Sequence, residues 1–299
     1  MPSSIFSSKL LAAWPSRVAL TTAAILITYN LAVALVKPDA VLFYDSGLRN
    51  VIVAEHYLDG ATPHAVLTGS SMGFRLAADF TEGDYLGPEI FNLSLAGKTA
   101  LPGLDLILAK PKRPRIVFVE MNTMERSYDG SFAADRLREP WNALRPYLPG
   151  FRLENRPLDL AIGLARKALK SVLARAGITA SERTYSAPAG LPEGPPINDR
   201  LRAAIAENTQ VLERRIAEFR SAGIRVVLLR LPTDPAAETP ATRFMWETCY
   251  SRFAPSRYEW IDLRSTGSYQ TDDGIHLNRS SARLAASVLR AWVEREMPN

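Results

Sequence analysis

Residues 115–121 carry Ile116, Val117, Phe118 and Val119 in succession. A run that short and that uniformly apolar has no solvent face, so it reads as a β-strand buried on both sides, the kind found in a parallel sheet covered by helices. The rest of the chain repeats the theme. Residues 65–68, 90–95, 224–231 and 258–263 are further strand candidates. Between them lie helical stretches: residues 71–80, a segment through Leu104, Ile107 and Leu108, and a helix capped by Asn198 or Asp199. That capped helix has Leu201, Ile205, Leu212, Ile216 and Phe219 on its apolar face and is closed by Gly223. A last helix over residues 280–296 turns Leu284, Val288, Leu289, Trp292 and Val293 inward. Strand followed by helix, repeated, predicts an α/β domain with a mostly parallel five-stranded sheet sandwiched between helical layers.

Two segments stand outside this rhythm. Val18 to Val36 holds 19 residues without a charge, and at about 1.5 Å per residue it comes close to crossing a hydrocarbon core of roughly 30 Å. It reads as an uncleaved transmembrane anchor. The run is long for the core of a signal peptide, and no small-x-small cleavage site precedes Lys37 and Pro38. A buried soluble helix is the third reading, kept alive by Thr21, Thr22, Thr28, Tyr29 and Asn30. Lys9 and Arg17 precede the span, which by the positive-inside tendency puts the amino terminus in the cytoplasm and the following domain in the periplasm or its equivalent. The expected division is therefore a tail and anchor over 1–37, a juxtamembrane connector over 38–63 with a helix near 47–58, and a catalytic domain over 64–299. The second segment, about 125–196, is rich in proline and contains one helical stretch, 158–176, so it reads as an insertion. Arg166, Lys167, Lys170 and Arg175 give that helix a basic face, read first as solvated and alternatively as resting on an anionic membrane or polymer.

Composition removes several function classes. Three of the five net positive charges belong to Lys9, Arg17 and Lys37, and the near balance of the remainder argues against nucleic acid as a partner. The single cysteine, Cys249, excludes an intramolecular disulfide and a Cys-rich metal site. No cofactor is expected, because the loop after the first strand lacks the glycines that let a nucleotide phosphate approach the backbone.

Ligands of parallel α/β sheets bind outside the carboxyl ends of the strands, so the residues just after each strand are the informative ones. These are Gly69, Ser70 and Ser71; Gly97; Asn122; and Asp272 to His276. A serine hydroxyl needs a base, and a histidine oriented by a carboxylate is the usual solution. Of the three histidines, His56, His64 and His276, only His276 has a carboxylate three residues away across a glycine-containing turn, Asp273. Each signal alone is an ordinary turn or helix cap; their occurrence together, each at a strand's carboxyl end, carries the reading.

In that order the chain resembles the SGNH hydrolase superfamily, the GDSL-like esterases and acyltransferases with a flavodoxin-like, three-layer α/β/α fold. The resemblance covers about residues 64–122 and 198–296. Gly69-Ser70-Ser71 resembles the block usually written Gly-Asp-Ser, which makes Ser71 the nucleophile. Residues 92–97, Asn-Leu-Ser-Leu-Ala-Gly, resemble the glycine block, with Gly97 donating a backbone N–H to the oxyanion. Glu120-Met121-Asn122-Thr123 matches the Gly-x-Asn-Asp block only at Asn122, the side-chain donor, and Asp273 and His276 match the Asp-x-x-His block. The resemblance implies an oxyanion hole of Ser71, Gly97 and Asn122. Two departures stand out: Ser70 replaces the usual acid, and Glu120 and Thr123 replace the flanks of the asparagine block. The Ser70 variant is associated with membrane-anchored members that modify cell-envelope polymers. The implied function is serine-dependent acyl-ester hydrolysis or O-acyl transfer outside the membrane, on acetyl groups of an envelope or exported polysaccharide, with a multispanning O-acyltransferase as candidate partner. A general carboxylesterase or lipase, and a catalytically silent scaffold of a polysaccharide assembly complex, are the alternatives.

Overall fold

The computed structural model describes residues 8–36, 46–77, 85–138, 144–175 and 197–297. Five strands, β1 (Ala65–Thr68), β2 (Ile90–Asn92), β3 (Ile116–Glu120), β4 (Arg225–Arg230) and β5 (Glu259–Asp262), form one all-parallel sheet in the order β2-β1-β3-β4-β5. This is the flavodoxin-like strand order, whose direction of winding reverses between β1 and β3. In the β1–β3 register Thr68 lies beside Val119, so Gly69 and Glu120 come level at the carboxyl edge.

The strands show why a doubly apolar sequence was needed. Val66, Val117, Val119, Val226 and Leu228 belong to the core on one face, while Ala65, Leu67, Ile116, Phe118, Val227 and Leu229 belong to the core on the other. This is the two-residue alternation of a strand, with apolar residues at both phases. The first face is covered by α2 (Ser46–Asp59), α4 (Leu101–Ala109), α7 (Asp199–Ser221) and α8 (Pro240–Arg252). The second is covered by α9 (Arg279–Glu296) and by Met72, Leu76 and Leu86.

Local signals set the helix ends. Of the two candidates for the cap of α7, Asn198 takes the role, its side chain accepting the Leu201 N–H at 2.9 Å, and Gly223 closes the helix at φ +73°. Asn278 caps α9 through the Ser281 N–H. Leu284, expected to face inward, is 40% exposed and packs over Gly267 instead. α8 lies where the sequence shows only a loose segment. Thr239 caps it, Pro240 opens it, and Met245, Trp246 and Cys249 are buried. The stretch read as a connector holds α2, whose Val53, Ala54 and Tyr57 enter the main core.

The amino-terminal helix α1 (Ser8–Val36) is long and apolar enough to cross a membrane, with a mean hydropathy of 1.9 over Trp14–Leu35. Leu20, Ile25 and Leu35 are 71%, 63% and 83% exposed. Its polar pair is used locally. Asn30 Oδ1 accepts the Gly150 N–H at 2.8 Å and the Tyr29 hydroxyl donates to the Asn155 carbonyl. A side chain at Gly150 would meet the Tyr29 ring at 2.9 Å, so the close approach requires glycine.

The segment making those contacts, two 3-10 turns over Pro149–Phe151 and Leu153–Asn155, is tied in turn to α2. Arg145 and Glu55, each 1% exposed, pair at 2.5 Å, Glu55 also accepts the Leu153 N–H, and His56 meets Glu154 at 2.7 Å. The proline-rich region thus forms a bracket between the apolar helix and the domain. It continues on one side as α5 (Ser131–Arg138) and on the other as α6 (Pro157–Arg175).

Candidate active site

At the carboxyl end of β1 the chain turns through Gly69 and Ser70 into a single helical turn, α3 (Ser71–Phe74). Ser71 is its first residue and Ser70 its cap. The Ser70 hydroxyl accepts the Met72 N–H at 3.2 Å and donates to the Glu120 carboxylate at 2.9 to 3.0 Å. Completely buried and with its hydroxyl engaged on both sides, Ser70 is a structural residue. Ser71, half-buried, presents its hydroxyl to the edge of the sheet, where His276 Nε2 lies 2.9 Å from Ser71 Oγ.

The histidine arrives from the other end of the chain on a loop between β5 and α9. Asp273 Oδ1 accepts the N–H groups of Ile275 and His276 at 3.0 and 2.7 Å, and Asp273 Oδ2 meets His276 Nδ1 at 2.6 Å. One carboxylate therefore shapes the turn with one oxygen and holds the ring with the other. Gly274 takes φ +86°, a left-handed conformation that favours glycine. The loop is fastened on both sides, by the Asp272 N–H to the His276 carbonyl and by the Asp234 N–H to the Gly274 carbonyl, each 2.9 Å. Partial burial pushes the Asp273 carboxyl up, but the backbone N–H and ring of His276 and the Ile275 N–H outweigh it, and its pKa lies below the ordinary carboxylate range. With the carboxylate on Nδ1, the tautomer this arrangement selects leaves Nε2 free to accept the serine proton.

The remaining expected residues, Gly97 and Asn122, lie on the chain that leaves β2 and β3 at the carboxyl edge of the sheet. Gly97, at φ +77°, follows Ala96, whose N–H and carbonyl are both held by the Asn50 side chain of α2 at 2.8 and 2.9 Å. Asn122 is buried, its Oδ1 accepting the Leu231 N–H and its Nδ2 donating to the Leu231 carbonyl at 2.8 and 2.9 Å. That pairing ties the end of β3 to the end of β4 and occupies one of the two amide hydrogens.

Glu120 is the residue whose place in the site the sequence did not reveal. Its Oε2 accepts the N–H of Ser70 at 2.6 Å and of Gly73 at 3.2 Å, in addition to the Ser70 hydroxyl. Complete burial raises its pKa against the pull of those bonds. A side chain at Gly69 would come within 2.4 Å of Glu120 Oε2, so the first glycine of the loop is there to admit the carboxylate. A glutamate ending a doubly buried strand was the available signal, since a buried carboxylate must find donors. Asn92 completes the frame, donating to the Gly73 carbonyl and accepting the Ser94 N–H.

A groove of about 540 Å³ lined by residues including Thr62, His64, Glu89 and Phe91 lies at the opposite, amino edge of the sheet. It contains none of the residues above. Among the described residues there is no cluster of His, Cys, Asp and Glu that could hold a metal ion.

No protein-family model matches the chain and no curated protein matches it in sequence. Among solved structures it is similar to one from Agrobacterium tumefaciens strain C58, described as a "putative arylesterase", with 14% identity and a TM-score of 0.36 over 78% of this chain and 99% of that one. A likeness that distant carries no argument, and the reading of the site rests on its own side chains.

Proposed function

We propose that the protein is a serine-dependent acyl-ester hydrolase or O-acyltransferase of the SGNH type, working outside the cytoplasmic membrane on acetyl groups of an envelope or exported polysaccharide. The observation that carries the reading is the alignment of Ser71 Oγ, His276 Nε2 and Asp273 Oδ2, with contacts of 2.9 and 2.6 Å at the carboxyl edge of a parallel sheet. Ser71 Oγ attacks the ester carbonyl while His276 takes its proton and Asp273 stabilises the resulting imidazolium. The tetrahedral intermediate collapses as His276 protonates the departing alkoxide, leaving an acyl group on Ser71. Water or a sugar hydroxyl, deprotonated by His276, then takes the acyl group and restores the serine.

The oxyanion is assigned to the backbone N–H groups of Ser71 and Gly97 and the second amide hydrogen of Asn122, each such donor being worth roughly 3 kcal/mol. Within the nucleophile turn the N–H groups of Ser70, Met72 and Gly73 are committed to the Ser70–Glu120 pair. The Ser71 N–H, at the first position of the turn, is the one assigned to the substrate. The polymer substrate is supported by the openness of the site, Asp273 and His276 having side chains 51% and 23% exposed. The extracytoplasmic address is supported by α1 and by Lys9 and Arg17 before its apolar run.

Full-length protein in detergent, treated with a fluorophosphonate, tests the nucleophile: covalent labelling in the wild type and none in Ser71→Ala is expected, and an unlabelled wild type overturns the reading. Incubation with an acetyl ester, with and without acceptor glycans, separates the two reactions by whether acetate appears in water or on sugar.

A further inference from the structure

We infer that α6 is a second membrane contact, an amphipathic helix lying in the plane of the leaflet at which α1 ends, with its apolar stripe in the acyl boundary of an anionic bilayer. The inference rests on the reading of α1 as a membrane span. Leu158, Ile162, Leu169 and Val172 are 72%, 39%, 59% and 61% exposed. At 100° per residue these four fall within a sector of about 80° on the helix, while Leu164, 46% exposed, lies about 80° beyond its edge. An apolar stripe of that kind ordinarily faces a protein core; here it faces outward. Over its 19 residues α6 is about 28 Å long, and the sequence gives it four basic residues, Arg166, Lys167, Lys170 and Arg175, against the single Asp159. A helix that carries an apolar stripe and, outside it, four basic residues with Leu160 and Leu164 among them suits the surface of a bilayer and not its interior.

The bracket sets the position of α6 relative to the membrane. Gly150 and Asn155 are bonded to Asn30 and Tyr29 of α1, and α6 begins at Pro157, two residues after Asn155. Tyr29 is six residues before Leu35, the end of the apolar window, a distance of about 9 Å along the axis. Interfacial helices rest about 5–10 Å into the boundary between headgroups and acyl chains. The bracket therefore delivers the start of α6 at the depth where such a helix is stable. On the other side of the bracket Tyr147 is 82% exposed and Leu144 40% exposed, and tyrosine is a residue favoured at this level of the bilayer. The ion pair of Arg145 with Glu55 and the bond from the Leu153 N–H to Glu55 fix the same bracket to the catalytic domain. Membrane contact along α6 would thus restrict the orientation of the domain as well as its distance from the surface.

The experiment uses the full chain in nanodiscs containing phosphatidylglycerol, with an environment-sensitive fluorophore on one introduced cysteine. The native Cys249 is buried and its thiol pushed up to about 12, so it does not compete for the label. Three positions are compared: Leu169→Cys in α6, Ile25→Cys in α1 and Ser256→Cys in the turn after α8. The expected result is blue-shifted emission at 169 that acyl-brominated lipid quenches about twofold, with stronger quenching at 25 and none at 256. Water-like, unquenched emission at 169 with quenching at 25 overturns the inference and leaves the anchor standing. Blue-shifted but unquenched emission at 169 overturns it in favour of a protein cover, a second copy or a partner. No quenching at either 25 or 169 removes the span itself and the inference with it.

Discussion

Glu120, at the end of β3, holds Ser70, at the end of β1, by two bonds: one from the Ser70 N–H at 2.6 Å and one from its hydroxyl at 2.9 Å. Two of the three positions at which the chain departs from the Gly-Asp-Ser and Gly-x-Asn-Asp patterns, Ser70 and Glu120, are therefore partners. A carboxylate is present beside the nucleophile turn, supplied by the neighbouring strand rather than by the turn itself. Glu120→Ala strands the N–H groups of Ser70 and Gly73 in the interior, at about 1–3 kcal/mol for each unsatisfied group. The expected outcome is a lower denaturation midpoint and slower fluorophosphonate labelling. The double variant Ser70→Asp with Glu120→Gln, which returns the acid to the turn, is expected to recover labelling relative to Glu120→Gln alone. Equal rates in the two would show that the location of the carboxylate is immaterial.

The same pair predicts a pH dependence. Burial raises the Glu120 pKa above its unfolded value, so the stabilisation from its protonated form is complete below the unfolded pKa and is lost as pH climbs through the folded one. The stability advantage of the wild type over Glu120→Gln should shrink as pH rises above the ordinary glutamate value of about 4. Denaturant titrations of both proteins across that range measure it, and a constant difference would mean that Glu120 ionises at its ordinary pKa.

Asp273→Asn keeps an oxygen for the N–H groups of Ile275 and His276 but removes the charge that steadies the imidazolium. The turnover number should fall by about 10²- to 10⁴-fold, nearer the lower figure because the carboxylate is half exposed to water. KM should change little. His276→Ala and Ser71→Ala should each remove the covalent labelling altogether.

Asn50 in α2 braces Ala96, and so the loop carrying Gly97. If Gly97 donates to the oxyanion as proposed, Asn50→Ala is expected to lower kcat about tenfold and, by leaving the N–H and carbonyl of Ala96 without their partner, to lower the melting temperature as well. Gly97→Ala meets no atom within 4 Å; its cost is confined to the left-handed backbone, about 1–2 kcal/mol.

Arg145→Met leaves Glu55 and Asp59 buried beside an apolar chain, and removing one partner of such a cluster costs about 3–5 kcal/mol. Burial already raises the Asp59 pKa despite the nearby Arg145. Thermal unfolding in detergent should show the loss, with a smaller loss when Glu55→Gln accompanies it.

The strands, β5 with its Glu259 and Asp262 excepted, were legible as short apolar runs, and the direction of the sheet followed from the helices between them. β3 shows why: Val117 and Phe118 face opposite cores, which only helices on both sides permit. α8 was not legible, since Pro240, Thr242, Thr248 and Tyr250 blur its periodicity and its burial is decided by Met245, Trp246 and Cys249 meeting the rest of the core. Glu120 was visible as a letter but not as a partner, because its donors lie 47 and 50 residues away. The apolar stripe of α6 can be read from the sequence, but only the fold shows it turned outward.

Ser71 and His276 stand 205 positions apart, and this separation has a consequence for biosynthesis. Ser71 is synthesised 205 residues before His276, and the loop that carries the histidine is followed by α9. Until His276 is made, the proposed nucleophile would be an ordinary alcohol with no base beside it. On the proposed mechanism, a chain that stalls or is clipped before Asp273 would be chemically silent, whatever part of its sheet has formed.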